Sequence, residues 1–195
     1  MSDAPRPNPR GEATRRRLLD AAAAEFAQHG LAGARVDRVA AAARSNKAQL
    51  YAYFRSKEGL FDAVFAEHVD RIVEAVPLDD DLAAYAVRLY DSSLASPEIV
   101  RLVTWARLER HPLGDLFHDG IDHDAHKVER IREAQARGTV DPRLDPADVL
   151  SVVIAMSMAW SPASATIAAH RRDPSGVHER RRKTLAAMVG KAVAP

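Results

Sequence analysis

Apolar residues recur at helical spacing along most of this chain, and no segment shows the two-residue alternation that is typical of a half-buried strand. The first apolar stripe lies on one face of a helix and consists of Leu18, Leu19, Ala22, Ala23 and Phe26. The pair His29-Gly30 is expected to end that helix, because glycine readily adopts the left-handed conformation that follows many helices. A second stripe runs from Leu60 to Ile72 and is expected to stop before Pro77.

Further helical patterns follow at residues 79–94, 97–110, 114–137, 146–171 and 177–193. Pro162 interrupts the fourth of these patterns. Because no strand pattern accompanies them, we predict an all-α fold. The expected divisions are a basic, disordered arm at residues 1–10, a first domain at residues 11–57 and a larger helical domain at residues 58–195.

Residues 36–61 predict two short helices joined by a tight turn. The apolar positions of the first of them are Val36, Val39, Ala40 and Ala43. Arg44 and Ser45 interrupt this pattern, and Asn46 is a suitable N-cap for the next helix. In that helix Leu50 and Phe54 are four residues apart and are expected to face inward. With the preceding stripe as a supporting helix, the pattern predicts a three-helix, helix-turn-helix domain whose last helix is the recognition helix.

The other side chains of the recognition helix suit a DNA groove. Glutamine pairs bidentately with adenine, alanine contacts a thymine methyl group, and lysine reaches guanine or phosphate. Tyrosine hydroxyls and a following lysine donate hydrogen bonds to phosphate oxygens. We therefore predict that double-stranded DNA is contacted by Arg35, Asn46, Lys47, Ala48, Gln49, Tyr51, Tyr53 and Lys57.

Three ordered blocks, RRLLDAAAAEFAQHG, VDRVAAAA and NKAQLYAYFRSKEGLFDAVF, resemble the amino-terminal domain of the TetR family of transcriptional regulators. The resemblance implies a helical homodimer whose first domain binds an operator and whose second domain dimerises and binds a small-molecule effector. Arg44 stands where the family has glycine, which leaves the turn geometry open because positive φ is costly for a side chain. Arg35 replaces a hydroxyl residue and is expected to lie against a phosphate, with simple solvent exposure as the alternative.

Charge is distributed unevenly along the chain. Residues 1–60 contain eleven Lys or Arg and six Asp or Glu, whereas residues 61–195 contain 17 and 21. A basic first third is the electrostatic signature of a surface that binds phosphates.

The last two helical patterns predict the dimer interface. The resemblance implies that these two helices pair with their symmetry mates in a four-helix bundle. The residues expected at this interface are Val153, Ser157, Leu185, Met188 and Val189. Packing within one chain is the alternative, because periodicity does not tell what covers an apolar face.

Aromatic and apolar residues of the central helices predict an effector cavity. The expected lining residues are Tyr85, Leu89, Trp105, Leu108, Glu109, Phe117, Met156 and Trp160. Because Asp91, Glu98 and Glu109 are interleaved with aromatic residues, a flat lipophilic cation is the preferred ligand. A neutral or anionic aromatic compound, with Arg88, Arg101 or Arg107 as its charged partner, is the alternative, and plain core packing explains the aromatic residues equally well.

Several other classes of protein are disfavoured. No apolar run has the length of a membrane span, and the amino terminus lacks the apolar segment of a secretory signal, so we expect a cytoplasmic protein without a membrane partner. The absence of cysteine excludes disulfides and thiolate metal sites. Motifs such as GxSxG, the P-loop and HExxH are missing, and we therefore predict neither an enzyme nor a cofactor.

The patch of His and Asp at residues 118–126 is expected to be a solvated surface, although His123 and His126 have a spacing at which they could share a metal ion. Taken together, the patterns and the resemblance predict a ligand-responsive transcriptional repressor. The alternative is a constitutive or architectural DNA-binding dimer that has no small-molecule inducer.

Overall fold

A computed structural model describes residues 9–110, 113–114 and 123–195, with only the backbone of residues 9 and 68–75. Within these ranges all regular secondary structure is α-helical, which confirms the predicted fold class. The helices are α1 (Pro9–Gly33), α2 (Val36–Ala42), α3 (Lys47–Phe54), α4 (Lys57–Ala75), α5 (Leu82–Ala95), α6 (Pro97–Glu109), α7 (Ala125–Ala136), α8 (Pro146–Ser157) and α9 (Ser175–Val193).

Two helix ends illustrate how local sequence sets these bounds. As predicted, α1 is interrupted at Gly30, which has a φ of 67°. In contrast, α8 ends at Ser157, well before the predicted residue 171. The reason is Pro162, whose ring would clash with the carbonyl group four residues earlier in a continued helix. The chain instead leaves α8 through a turn in which the Ser161 N–H donates to the Met158 carbonyl oxygen at 2.9 Å.

The first of two compact units comprises Met1–Val69 and Arg101–Leu116. Its largest fully buried side chains are Leu18, Leu19, Phe26, Val39, Leu50, Leu60, Phe61, Val64 and Leu102. Phe26 of α1 and Phe61 of α4 meet edge to face, with ring centroids 5.0 Å apart. This unit extends beyond the predicted range 11–57, because the start of α4 and the later part of α6 also pack on α1.

Three polar contacts join α6 to the rest of the first unit. The Arg101 guanidinium donates to the Ala27 carbonyl oxygen at 2.6 Å, near the carboxyl end of α1. The Glu109 carboxylate accepts from the Ala32 N–H at 2.9 Å. The Arg110 guanidinium binds the carboxylate of Asp62 on α4 at 2.8 Å. Each contact satisfies a backbone or charged group that would otherwise need water.

The second unit comprises Asp70–Val100 and Phe117–Pro195. Here α5 packs against α8 and α9, and α7 packs against α8. The core of this unit includes Tyr85, Tyr90, Ile131, Leu150, Val153, Leu185 and Val189. The end of α9 is attached to the loop after α7, because the Asp141 N–H donates to the Val193 carbonyl oxygen at 2.9 Å.

Candidate nucleic-acid interface and effector region

The turn between α2 and α3 has the hydrogen bonds of a helix that ends in a Schellman motif. The Arg44 N–H donates to the Ala41 carbonyl oxygen at 3.1 Å, and the Ser45 N–H donates to the Ala40 carbonyl oxygen at 2.9 Å. Arg44 adopts a φ of 51°, the left-handed conformation that glycine takes in this motif. The question that the sequence left open at Arg44 is thereby answered, since the arginine adopts the conformation expected of glycine.

The start of α2 is fixed by a carboxylate of α1. Glu25 accepts the Arg35 N–H at 2.8 Å and also binds the guanidinium of Arg38. Burial alone would raise the pKa of Glu25, but the hydrogen bonds from Arg38 and Arg35 outweigh it and lower the pKa. The backbone of Arg35 is therefore anchored, while the residue as a whole is exposed at the N-terminal end of α2. Its contact with a phosphate stays a prediction.

The recognition helix α3 begins as the sequence predicts. The side chain of Asn46 accepts the Gln49 N–H at 2.8 Å, which confirms Asn46 as the N-cap. Leu50 and Phe54 are buried at 0% and 7% exposure, so the predicted inward face is also confirmed. The exposed residues of α3 include Lys47, Ala48, Gln49, Tyr51 and Tyr53. Their contacts with DNA stay predictions. None of these five side chains is buried in the core of the first unit, so all of them remain exposed.

Two of these exposed side chains have partners that the sequence did not reveal. The Lys47 ammonium lies 2.8 Å from the Asp37 carboxylate of α2, and this hydrogen bond raises the pKa of Lys47. The Ser45 hydroxyl donates to Gln49 Oε1 at 2.7 Å. The spacing of four residues between Ser45 and Gln49 was a usable signal, although it spans a turn. Asp37 and Lys47 are ten residues apart, and only the turn geometry brings them together.

Tyr53 and Lys57 also make contacts within the first unit. The Tyr53 hydroxyl donates to the Gly11 carbonyl oxygen at 3.1 Å. The Lys57 ammonium lies 3.4 Å from the carbonyl oxygen of Ala32 and 3.5 Å from that of Ala34. Lys57 therefore neutralises the carboxyl end of α1 in this structure, a structural role beside the predicted contact with phosphate.

The turn from α3 to α4 is sharper. Arg55 has a φ of 64°, and the Ser56 N–H donates to the Phe54 carbonyl oxygen at 2.7 Å, which is the hydrogen bond of a three-residue γ-turn. The Ser56 hydroxyl then accepts the Gly59 N–H at 2.9 Å and caps α4. A Cβ atom at Gly59 would lie 2.4 Å from the Phe54 oxygen, so the turn requires glycine at this position.

The predicted effector residues are divided between the two compact units. Tyr85 and Leu89 belong to the core of the second unit, and Met156 and Trp160 pack against that core. Burial raises the pKa of Tyr85 to about 12, with a further contribution from the Asp124 carboxylate. Of the other predicted residues, Trp105 and Glu109 belong to the first unit. Leu108 is 65% exposed, and Phe117 is outside the described residues.

The charges around the aromatic residues of the second unit differ from those expected for a cation site. The Asp91 carboxylate accepts from the Arg182 guanidinium at 2.8 Å and is thereby neutralised. Arg182 also lies over the ring of Tyr90 at 6.0 Å, and Arg181 lies over the ring of Trp160 at 5.7 Å. One face of the Tyr90 ring and one face of the Trp160 ring are therefore already occupied by arginine side chains.

A buried polar pair connects this aromatic group to α9. The Tyr90 hydroxyl lies 2.7 Å from His178 Nδ1, and both residues are at most 7% exposed. The rings of Tyr90 and Trp160 meet edge to face at 5.9 Å. Trp160 is therefore linked through Tyr90 to His178 in the first turns of α9.

Most residues of the expected dimer interface are buried within one chain. Val153 and Val189 are 0% exposed, Ser157 is 0% exposed and Leu185 is 2% exposed. Since α5 packs against both α8 and α9, the alternative of packing within one chain accounts for their burial. Of the five expected residues only Met188, at 57%, is exposed. Other residues that α8 and α9 expose include Val152, Ala155, Ala187 and Ala192.

The remaining sequence predictions concern metals and membranes. Residues 118–122 of the His and Asp patch lie outside the described residues. Within the described part of the chain, no group of three or more His, Cys, Asp or Glu side chains is placed to hold a metal ion. A search of the same part finds no helix with the length and apolarity needed to cross a membrane.

Two family models match the chain. The model described as "Bacterial regulatory proteins, tetR family" matches residues 18–64, and the model described as "Tetracyclin repressor-like, C-terminal domain" matches residues 81–191. The HTH-type transcriptional repressor SCO4008 of Streptomyces coelicolor is 40% identical over 149 residues, which cover 75% of this chain and 77% of that protein. The A-factor receptor protein of Streptomyces griseus is 30% identical over 149 residues, which cover 73% of this chain and 51% of that protein.

Solved structures show the same similarity in three dimensions. The crystal structure of SCO4942 from Streptomyces coelicolor is 41% identical in sequence and has a TM-score of 0.76, covering 92% of this chain and 98% of that one.

Proposed function

Because the chain belongs to the TetR family of transcriptional regulators, we propose that it is a homodimeric repressor that is released from operator DNA by a small molecule. The family predicted from the three sequence blocks is thereby confirmed. The observation that carries the proposal is the pre-ordered α3, whose ends are fixed by Asn46 and the γ-turn at Arg55 while its polar face stays exposed. A protein that binds chromosomal DNA would act in the cytoplasm.

In the proposed complex, two copies of α3 enter successive major grooves about 34–36 Å apart. Gln49 contacts a base edge, while Lys57 leaves the carbonyl groups of α1 to bind a phosphate. Gln49→Ala should relax the preference for one base pair of the operator. Lys57→Ala should weaken binding to every sequence and reduce the salt slope by about one.

Binding isotherms at several salt concentrations test both expectations. The matched control is Lys191→Ala, because Lys191 is an exposed lysine in the last turn of α9, in the second unit, and should not affect the isotherms. Unchanged binding in both test variants would exclude α3 from the DNA interface as drawn.

For the dimer, the proposed contact is the exposed face of α8 and α9 around Val152 and Met188, which are 52% and 57% exposed. A second copy is the proposed occupant, since this apolar face lies on the two helices by which the family implies dimerisation. Val152→Asp with Met188→Asp should yield a folded monomer, because charges in an apolar seam are costly to bury. The control Leu185→Asp should unfold the chain instead, since Leu185 is 2% exposed.

Sedimentation and far-ultraviolet circular dichroism separate these outcomes. A double variant that stays dimeric and helical would place the interface elsewhere.

The effector is proposed to be a small aromatic compound that binds in the second unit beside Tyr85, Leu89, Met156 and Trp160. The relative named as the A-factor receptor protein supports a response to a small molecule. Because Arg181 and Arg182 already occupy aromatic faces there, we favour a neutral or anionic ligand over the cationic one expected from the sequence.

Phenylacetate, phenethyl alcohol and phenethylammonium form a matched set of probes that differ in charge. A probe of the right class should quench tryptophan fluorescence and release the operator duplex. Trp160→Phe should abolish the quenching, whereas the matched control Trp105→Phe should retain it, because Trp105 belongs to the first unit. Release of the operator by phenethylammonium alone would support the cationic ligand that the sequence predicted. A dimer that no probe of any charge releases would favour the constitutive alternative.

A further inference from the structure

Gln49 is attached to the preceding turn at two points. Its N–H donates to Asn46 Oδ1 at 2.8 Å, and its side-chain Oε1 accepts from the Ser45 hydroxyl at 2.7 Å. Both distances are those of good hydrogen bonds. The backbone bond is the ordinary N-cap of α3, but the side-chain bond is not needed to start a helix.

Ser45 is itself held in place by the end of α2. Its N–H donates to the Ala40 carbonyl oxygen at 2.9 Å. The left-handed conformation of Arg44 reverses the chain direction just before Ser45, which is followed by the N-cap Asn46. The residue is partly buried, and its hydroxyl makes this single side-chain hydrogen bond within the described residues. The backbone of the turn therefore sets the position of the Ser45 Cβ atom, from which the hydroxyl reaches Gln49.

We propose that Ser45 is a positioning residue for base recognition, because it holds the exposed amide of Gln49 in one orientation. The inference rests on the proposed function, since it concerns how α3 contacts DNA. A glutamine amide has an acceptor end and a donor end, and rotation by half a turn exchanges them. With Oε1 bound to Ser45, the NH2 group is the end that is directed away from the turn.

An outward NH2 group selects bases by their acceptors. In the major groove, adenine and guanine both present N7 as an acceptor and thymine presents O4, whereas cytosine presents only its N4 donor. The second lone pair of Oε1 remains available for the N6 donor of adenine. Ser45 thus disfavours cytosine opposite Gln49, although Ser45 itself contacts no base.

The test compares base preferences rather than affinities alone. The probe is a fluorescent duplex selected by the wild-type dimer from a randomised library, together with its single-base-pair variants. Ser45→Ala should reduce the discrimination against cytosine at the position sensed by Gln49 by about 3- to 10-fold, which is the effect of one hydrogen bond. The salt slope should not change, because no phosphate contact is lost.

Two further variants show whether Ser45 acts through Gln49. Ser45→Thr keeps a hydroxyl group and should preserve the preference. In the Gln49→Ala background, Ser45→Ala should have no additional effect. An additional loss there, or a threonine variant that behaves like the alanine variant, would overturn the proposal.

Ser45→Ala could lose base preference simply because it perturbs the fold, so NMR spectra recorded without DNA provide an independent test. In protein labelled with 15N at glutamine, the side-chain amide signals of Gln49 should be well dispersed in the wild type and in Ser45→Thr. If those signals already have the positions of a free amide in the wild type, the proposal fails.

Different outcomes refute the proposed function and the role of Ser45. If the wild-type dimer selects no duplex, the proposed function is wrong. If it selects one and Gln49→Ala relaxes the preference while Ser45→Ala does not, only the role of Ser45 is refuted.

Discussion

Replacing Arg44 by glycine should stabilise the first unit. Arg44 has a φ of 51°, and the left-handed region costs an L-amino acid roughly 1–2 kcal/mol. Glycine avoids this cost but loses more backbone freedom on folding, which cancels roughly 0.5–1 kcal/mol of the stabilisation. Because Arg44 is exposed, the substitution removes no core packing. The expected net gain is about 0.5–1 kcal/mol in the free energy of unfolding, or a few degrees in Tm.

Urea and thermal unfolding followed by circular dichroism measure this gain, at one fixed protein concentration because the chain is proposed to dimerise. The matched control is Ala42→Gly, two residues earlier and also exposed, where the backbone is helical. There glycine should cost about 0.5–1 kcal/mol. If Arg44→Gly is less stable than the wild type, the left-handed conformation of Arg44 is not a source of strain, and the reasoning from its positive φ is refuted.

Two other positions give sharp expectations. Gly59→Ala should destabilise the first unit by about 1–3 kcal/mol and weaken operator binding, because its Cβ would lie 2.4 Å from the Phe54 carbonyl oxygen; a wild-type melting curve would contradict this. The hydrogen bond from Arg143 lowers the pKa of Asp141 from 3.8 to about 2, so the stabilisation is present above about pH 4 and is lost as the pH falls through 2. The difference in Tm between the wild type and Asp141→Asn should therefore shrink between these pH values, and a constant difference would show that the carboxylate charge is not involved.

The parts of the fold that the sequence predicted correctly depend on local signals. Asn46 was identified as an N-cap because the capping hydrogen bond joins residues three apart. Leu50 and Phe54 were placed inside because helical periodicity alone defines the inward face. Arg44 shows the limit of the local approach, since its conformation depends on two hydrogen bonds of a complete turn.

The predictions that failed or stay open depend on which other segment of the chain packs against a given helix. Periodicity marked Leu185 and Val189 as buried, but it did not reveal that α5 of the same chain covers them. The effector-site prediction that grouped Trp105 with Trp160 stays open, because the two residues belong to different compact units. Such assignments need long-range contacts, which hydrophobic spacing does not encode.

The attachment of α6 to the first unit limits how regulators of this kind can be recombined. A hybrid protein that joins α1 to α4 of this chain to a foreign effector domain would lack Arg101, Glu109 and Arg110. The Ala32 N–H and the Asp62 carboxylate would then lose the partners that α6 supplies. The part that can be exchanged between regulators is therefore not a continuous stretch of sequence, and a functional graft has to carry the later half of α6 together with the amino-terminal helices.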